Sequence, residues 1–229
     1  MPTSFTRRNV LAAAAVLPLA SGVLRAAEPD LAALRDLTGN TRPIDPAERA
    51  RRLSRVQALM KANGVGAVLI EPGASMIYFT GVRWHLSERL TCAILPVEGE
   101  PCIVTPFFEE PSVRLSLSVP AEVRTWNEDE DPLRVVAGFL RDRRLDRRPI
   151  GVEANVRFFA TDRLRAALPD VRLVSADRLV RACRMVKSPT EIALMQAASD
   201  VTEAAYKWTW PRIEPGMKPA DVAALMSAA

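Results

Sequence analysis

The sequence predicts an α/β domain built on a mixed six-stranded sheet with helices on both faces, followed by the first helices of a second domain. Three observations lead there. Short apolar runs alternate with amphipathic helical stretches between residues 46 and 185, the pattern of helices packed over a sheet. Val186-Lys187-Ser188-Pro189 then marks a second boundary, and only about forty residues follow it, too few to close a core of their own.

With 229 residues, 48% apolar and 25% charged, the chain has the composition of a globular protein and not of a disordered or fibrous one. Residues 1–27 have a different character. Arg7 and Arg8 precede an apolar run from Val10 to Leu24 and the small residues Ala26 and Ala27, the layout of an export signal. Thr6-Arg7-Arg8-Asn9-Val10-Leu11 resembles the twin-arginine signal, with Val10 and Ala12 departing from its usual residues. An ordinary secretory signal is the alternative. Pro18, Ser21 and Gly22 interrupt the run and leave it short of the roughly 20 apolar residues of a span, so no stable membrane anchor is expected. The expectation is export, to the periplasm.

Residues 1–27 hold three arginines and no acid, so without them the balance of 31 basic to 27 acidic residues becomes 28 to 27. The basic character belongs to the signal, and no nucleic-acid partner is expected.

Residues 28–45, with Pro29, Gly39, Asn40 and Pro43, read as a linker. Asp45-Pro46-Ala47-Glu48 starts the first helix: Asp45 caps, Pro46 takes the first helical position and Glu48 bonds back to the cap. Leu53, Val56, Leu59 and Met60 share a face, and Asn63-Gly64 stops the helix. Val65–Ile70 reads as a buried strand. Leu90–Val97 and Pro101–Thr105 form a hairpin around Glu98-Gly99-Glu100, a turn that sets Cys92 opposite Pro106. Further strands are expected at Glu122–Trp126, Pro149–Glu153 and Val171–Val174. Helices are expected at Phe107–Leu117, Asp131–Arg144, Thr161–Leu168 and Asp177–Arg184.

The arginine-rich stretch from Arg141 to Arg148 is interspersed with Asp142 and Asp146 and reads as a solvated helix end. After the boundary, Ser188 caps, Pro189 leads and Glu191 completes a capping box. Ile192, Met195, Ala198, Thr202 and Tyr206 then give that helix an apolar face with no evident partner. Pro211, Pro215 and Gly216 turn the chain into a last helix from Pro219.

Cys92, Cys102 and Cys183 are an odd set, so at least one thiol stays free. No two of them have the spacing of a zinc pair, and the only histidine is His85, which excludes a structural zinc site.

Three strings in order carry a resemblance. They are Tyr78-Phe79-Thr80-Gly81, the joint Met185-Val186-Lys187-Ser188-Pro189-Thr190-Glu191-Ile192, and the tail Ile213-Glu214-Pro215-Gly216-Met217-Lys218-Pro219-Ala220-Asp221-Val222. Over residues 46–229 the chain resembles the pita-bread metallopeptidases: Xaa-Pro aminopeptidases, Xaa-Pro dipeptidases and the related creatinases. The resemblance implies a creatinase/prolidase-like N-terminal domain at 46–185 and the start of a truncated pita-bread α+β catalytic domain at 186–229. It also implies two divalent ions, manganese, cobalt or zinc, held by two Asp, one His and two Glu around a bridging water, in a homo-oligomer that cleaves proline-containing peptides.

The two Asp ligands of that family lie eleven positions apart. Asp200 plus eleven is Pro211, and Asp221 plus eleven lies past Ala229. Glu191 and Glu203 read as a cap and a surface position, and His85 precedes the joint, so no metal ligand and no catalytic residue is expected here. Trp84 and His85 are the substrate-binding candidates, in a loop before a strand where the family's N-terminal domain reaches over a pocket. The plainer alternative has Trp84 packing and His85 solvated. For function, the expectation is the N-terminal part of an exported Xaa-Pro metallopeptidase, inactive by itself. The alternatives are a creatinase-like hydrolase of a small guanidino compound and a non-catalytic protein-binding module.

Overall fold

The computed structural model describes residue 31 and residues 34–229; the signal reading at 1–27 lies outside the described residues. The described chain divides into two units. One holds residues 38–199, and the other combines residues 200–229 with the described residues up to 37.

In the larger unit, α1 (Pro46–Ala62) starts at Asp45, whose carboxylate accepts from the Glu48 backbone N–H at 2.6 Å. Val56 and Met60 are fully buried, and Leu53 and Leu59 pack on the same core. Asn63 closes the helix, and Gly64, at φ +68°, turns the chain into β1 (Ala67–Ile70). Next comes α2 (Ala74–Thr80), a helix absent from the sequence reading. Then follow β2 (Cys92–Pro96), β3 (Cys102–Pro106), a 3-10 turn at Phe107–Glu109, α3 (Glu110–Ser116), β4 (Glu122–Trp126) and α4 (Pro132–Asp142). The unit continues through β5 (Ile150–Val152), α5 (Phe158–Ala167), β6 (Leu173–Ser175) and α6 (Asp177–Arg184). It ends in the first turns of α7 (Pro189–Thr209).

The expected mixed six-stranded sheet is present, in the order β4-β3-β2-β1-β5-β6. β1 runs antiparallel to β2 and parallel to β5, β2 is antiparallel to β3, and β3–β4 and β5–β6 are parallel pairs. Every residue of β1, β2 and β3 is buried, which requires cover on both faces. The helices supply it in two groups, α1 with α2 and α6, and α4 with α5.

Several local expectations change. The hairpin pairs Cys92 with Val104 and Ile94 with Cys102, so Cys92 is not opposite Pro106. The connection between Pro96 and Cys102 is centred on Glu98, one residue earlier than expected, with Gly99 at φ +85°, and this moves the register by one side-chain repeat. All three cysteines are buried free thiols. The expected helix at Phe107–Leu117 is split, because Pro111 lacks an N–H and the chain enters α3 through a 3-10 turn. The α5 helix begins three residues early, since the Glu71 carboxylate accepts from the Arg157 backbone N–H at 2.6 Å and satisfies one of the first-turn donors.

In the smaller unit the end of α7 leads through a 3-10 turn at Trp210–Arg212 to Gly216, at φ +94°, and α8 (Pro219–Ala228). The Lys218 backbone N–H donates to the Asp221 carboxylate at 2.8 Å, and the Arg212 guanidinium lies 4.0 Å over the Trp208 ring. The face of α7 read as unmatched is exposed: Ile192, Met195, Ala198, Thr202 and Tyr206 all stand open.

Candidate functional site

Three segments distant in sequence meet at one end of α1. The first is α1 itself, where Glu48 and Arg52 are one helical turn apart and both buried at 7% exposure. The Arg52 guanidinium donates to Glu48 at 2.6 Å, pairs with Glu191 at 3.2 Å, donates to the Tyr78 carbonyl at 3.2 Å and lies 4.0 Å over the Tyr78 ring. The second segment, α2, supplies Tyr78, whose hydroxyl donates to the Cys183 carbonyl at 2.9 Å. Burial pushes the Tyr78 hydroxyl up in pKa despite the neighbouring Arg52 charge.

The third segment is the joint. The Ser188 backbone N–H donates to Glu191 at 2.8 Å, and the Glu191 backbone N–H donates to the Ser188 hydroxyl at 3.1 Å, the expected capping box. The Ser188 hydroxyl also donates to Glu48 at 2.9 Å. Burial raises the Glu48 pKa, but hydrogen bonds from Ser188 and Arg52, the Arg52 charge and a bond from Thr190 outweigh it and hold the carboxyl below its ordinary 4.5. The reading of Glu48 as a back-bonding cap residue is corrected: its carboxylate goes to Arg52 and Ser188, a cation and a hydroxyl that outcompete a helix-end N–H.

Beside this knot lies a cleft of about 490 Å³. Arg49, Arg52, Arg83, Arg184 and Lys187 line it with Glu191, and Ile44, Ile77, Leu194 and Met195 give it an apolar side. Arg49 donates to the Ile77 carbonyl at 2.5 Å, and Arg184 donates to the Ser75 hydroxyl at 2.8 Å, which in turn donates to Glu153 at the end of β5. The cleft therefore sits outside the carboxyl ends of the parallel strands β1 and β5, a usual place for ligands in α/β sheets. Near it the buried Glu71 carboxylate, just after β1, takes two bonds from the Arg157 guanidinium, at 2.8 and 2.6 Å.

The family model described as the creatinase/prolidase N-terminal domain matches residues 52–186. The chain belongs to this family. Among solved structures it is similar to dipeptidase PepE from Mycobacterium ulcerans, with a TM-score of 0.64, 30% identity and coverage of 82% of this chain and 51% of that one. The prolidase from Thermococcus sibiricus shares the fold with a TM-score of 0.71 at 19% identity, covering 82% of this chain and 50% of that one. Among curated proteins, the ectoine hydrolase of Halomonas elongata is 27% identical over 186 residues, 76% of this chain and 47% of that protein. The chain spans about half the length of the curated relatives it matches.

Within this creatinase/prolidase N-terminal domain, Trp84 is half-buried and packs on the core, whereas His85 is exposed. Neither lines the cleft, but their neighbour Arg83 does. No three His, Cys, Asp or Glu side chains converge among the described residues, so those residues do not fit the two-ion donor set that the resemblance implies. Sequence reasoning missed Arg49, Arg52 and Arg184. The Glu48–Arg52 spacing was the available signal for Arg52, whereas Arg49 depends on α2 docking on α1 and Arg184 on α6 docking beside α1, which no local pattern encodes.

Proposed function

We propose that these residues are the N-terminal part of an exported Xaa-Pro metallopeptidase, an aminopeptidase or dipeptidase, in which this domain shapes substrate access and assembly while residues outside it hold the metal ions. The observation that carries the reading is the family match over residues 52–186 together with the span of about half of relatives that include a dipeptidase. Arg7-Arg8 and the apolar run after them support export through the twin-arginine route to the periplasm. Two manganese, cobalt or zinc ions and a homo-oligomer belong to the whole protein in this reading. Trp84 and His85 are its candidate substrate contacts, in a loop able to face a neighbouring subunit's pocket.

A second reading keeps the architecture and changes the substrate. The ectoine hydrolase relative, matched over 186 residues, favours a hydrolase of a small nitrogenous compound. Reading the gene beyond codon 229 separates these. The peptidase reading expects an open frame encoding two Asp eleven apart, one His and two Glu, and cleavage of Xaa-Pro peptides by the extended product. A frame lacking those five ligands, or an extended product that turns over only small ring or guanidino compounds, overturns it.

A further inference from the structure

The cleft carries a charge imbalance that the packing of the joint does not use. Five cations line it against one carboxylate, Glu191, and that carboxylate is already held by Arg52 and by the Ser188 backbone N–H. Among the described residues, Arg49, Arg83, Arg184 and Lys187 have no carboxylate within ion-pair distance. Arg184 donates to the Ser75 hydroxyl, which relays to Glu153, and Lys187 donates to backbone carbonyls, so neither makes a direct ion pair.

Arg49 is half-buried. Its Nε is buried without a hydrogen-bond partner. Burial, then the charges of Arg52 and Arg83, pull its pKa down against the opposing charge of Glu48. Both guanidinium groups line the cleft, so an anion bound there meets two cations.

The remainder of the lining decides what kind of anion. Ile44, Ile77, Leu194 and Met195 are apolar, and about 490 Å³ falls within the usual range of small-molecule sites, far more than an inorganic anion fills. A ligand matched to this cleft has one anionic end and an apolar body. We propose that the cleft binds a short apolar peptide by its C-terminal carboxylate, held by Arg49 and Arg83, with its side chains on Ile77, Leu194 and Met195. The peptide as ligand rests on the peptidase reading above; the carboxylate rests on the charges alone.

Calorimetric titration of the 229-residue chain with Leu-Leu-Leu, its C-terminal amide, octanoate and inorganic phosphate tests this. The acid is expected to bind at least about tenfold more tightly than the amide, through charge-assisted hydrogen bonds, and to weaken at high salt. Arg83→Gln, at an exposed position, is expected to weaken the acid about tenfold while leaving the amide and the thermal midpoint unchanged. Equal binding of acid and amide, or unchanged affinity in Arg83→Gln, overturns the proposal because the charge is not read. Octanoate or phosphate binding as tightly as the tripeptide overturns it because the peptide is not. The titration reads binding without turnover. The peptidase reading therefore survives an empty cleft if the extended protein cleaves Xaa-Pro peptides, and it falls separately if that cleavage is missing.

Discussion

Glu48 ties together parts of the chain 140 residues apart, since its carboxylate accepts from Arg52 within its own helix and from Ser188 at the joint. Removing a buried acid that satisfies a buried cation costs about 3–5 kcal/mol, because Arg52 stays buried with less to pair against. Glu48→Ala is expected to lose stability of that order in urea unfolding. Glu48→Gln keeps an acceptor and loses the charge, so it shows a smaller loss at neutral pH. The folded carboxyl sits below its ordinary 4.5, so its contribution is complete above that value and disappears as pH falls through the lower folded pKa. The gap between wild type and Glu48→Gln should therefore close on acidification below 4.5. An equal gap at neutral and acid pH contradicts the assignment. The thiols behave oppositely to reactive cysteines: burial pushes Cys102 up to about 12 and Cys92 well above its ordinary value, which suits core packing.

At the scale of elements, α2 shows why a motif needs a physical account. Its last residue, Thr80, bonds back to the Met76 carbonyl at 2.7 Å, and Gly81 ends the helix at φ +84°. A Cβ on Gly81 falls 2.3 Å from the Ser118 hydroxyl, on a segment fixed by the Ser118 N–H donating to the Thr80 carbonyl at 2.9 Å. Gly81→Ala therefore combines left-handed strain with a collision, and a loss of more than about 1 kcal/mol is expected in thermal or urea unfolding. A neutral substitution at this position contradicts the geometry. The strands were legible because β1, β2 and β3 are buried throughout and read as continuous apolar runs. The α2 helix was not, since seven residues led by Gly73 with no side-chain cap give no local start signal, and its shape comes from packing on α1. The cleft was illegible for the same reason: Arg49, Arg83 and Arg184 are ordinary surface residues in sequence and converge only when α1, α2 and α6 share a face of the sheet.

At the scale of the whole molecule, the creatinase/prolidase N-terminal domain has a continuous core through the sheet and its two helix groups, and its joint with α7 is locked by the Glu48–Arg52–Glu191–Ser188 network. What the described residues do not bring together is a set of metal donors. In the proposed reading this domain shapes substrate access and assembly, and the metal ions would be held by residues outside it. The most direct test is a hydrolysis assay of the purified 229-residue chain on Xaa-Pro dipeptides and longer Xaa-Pro peptides, with manganese, cobalt or zinc added in turn. The account predicts a folded protein with no turnover above metal-only controls; metal-dependent turnover that co-purifies with the chain would contradict it.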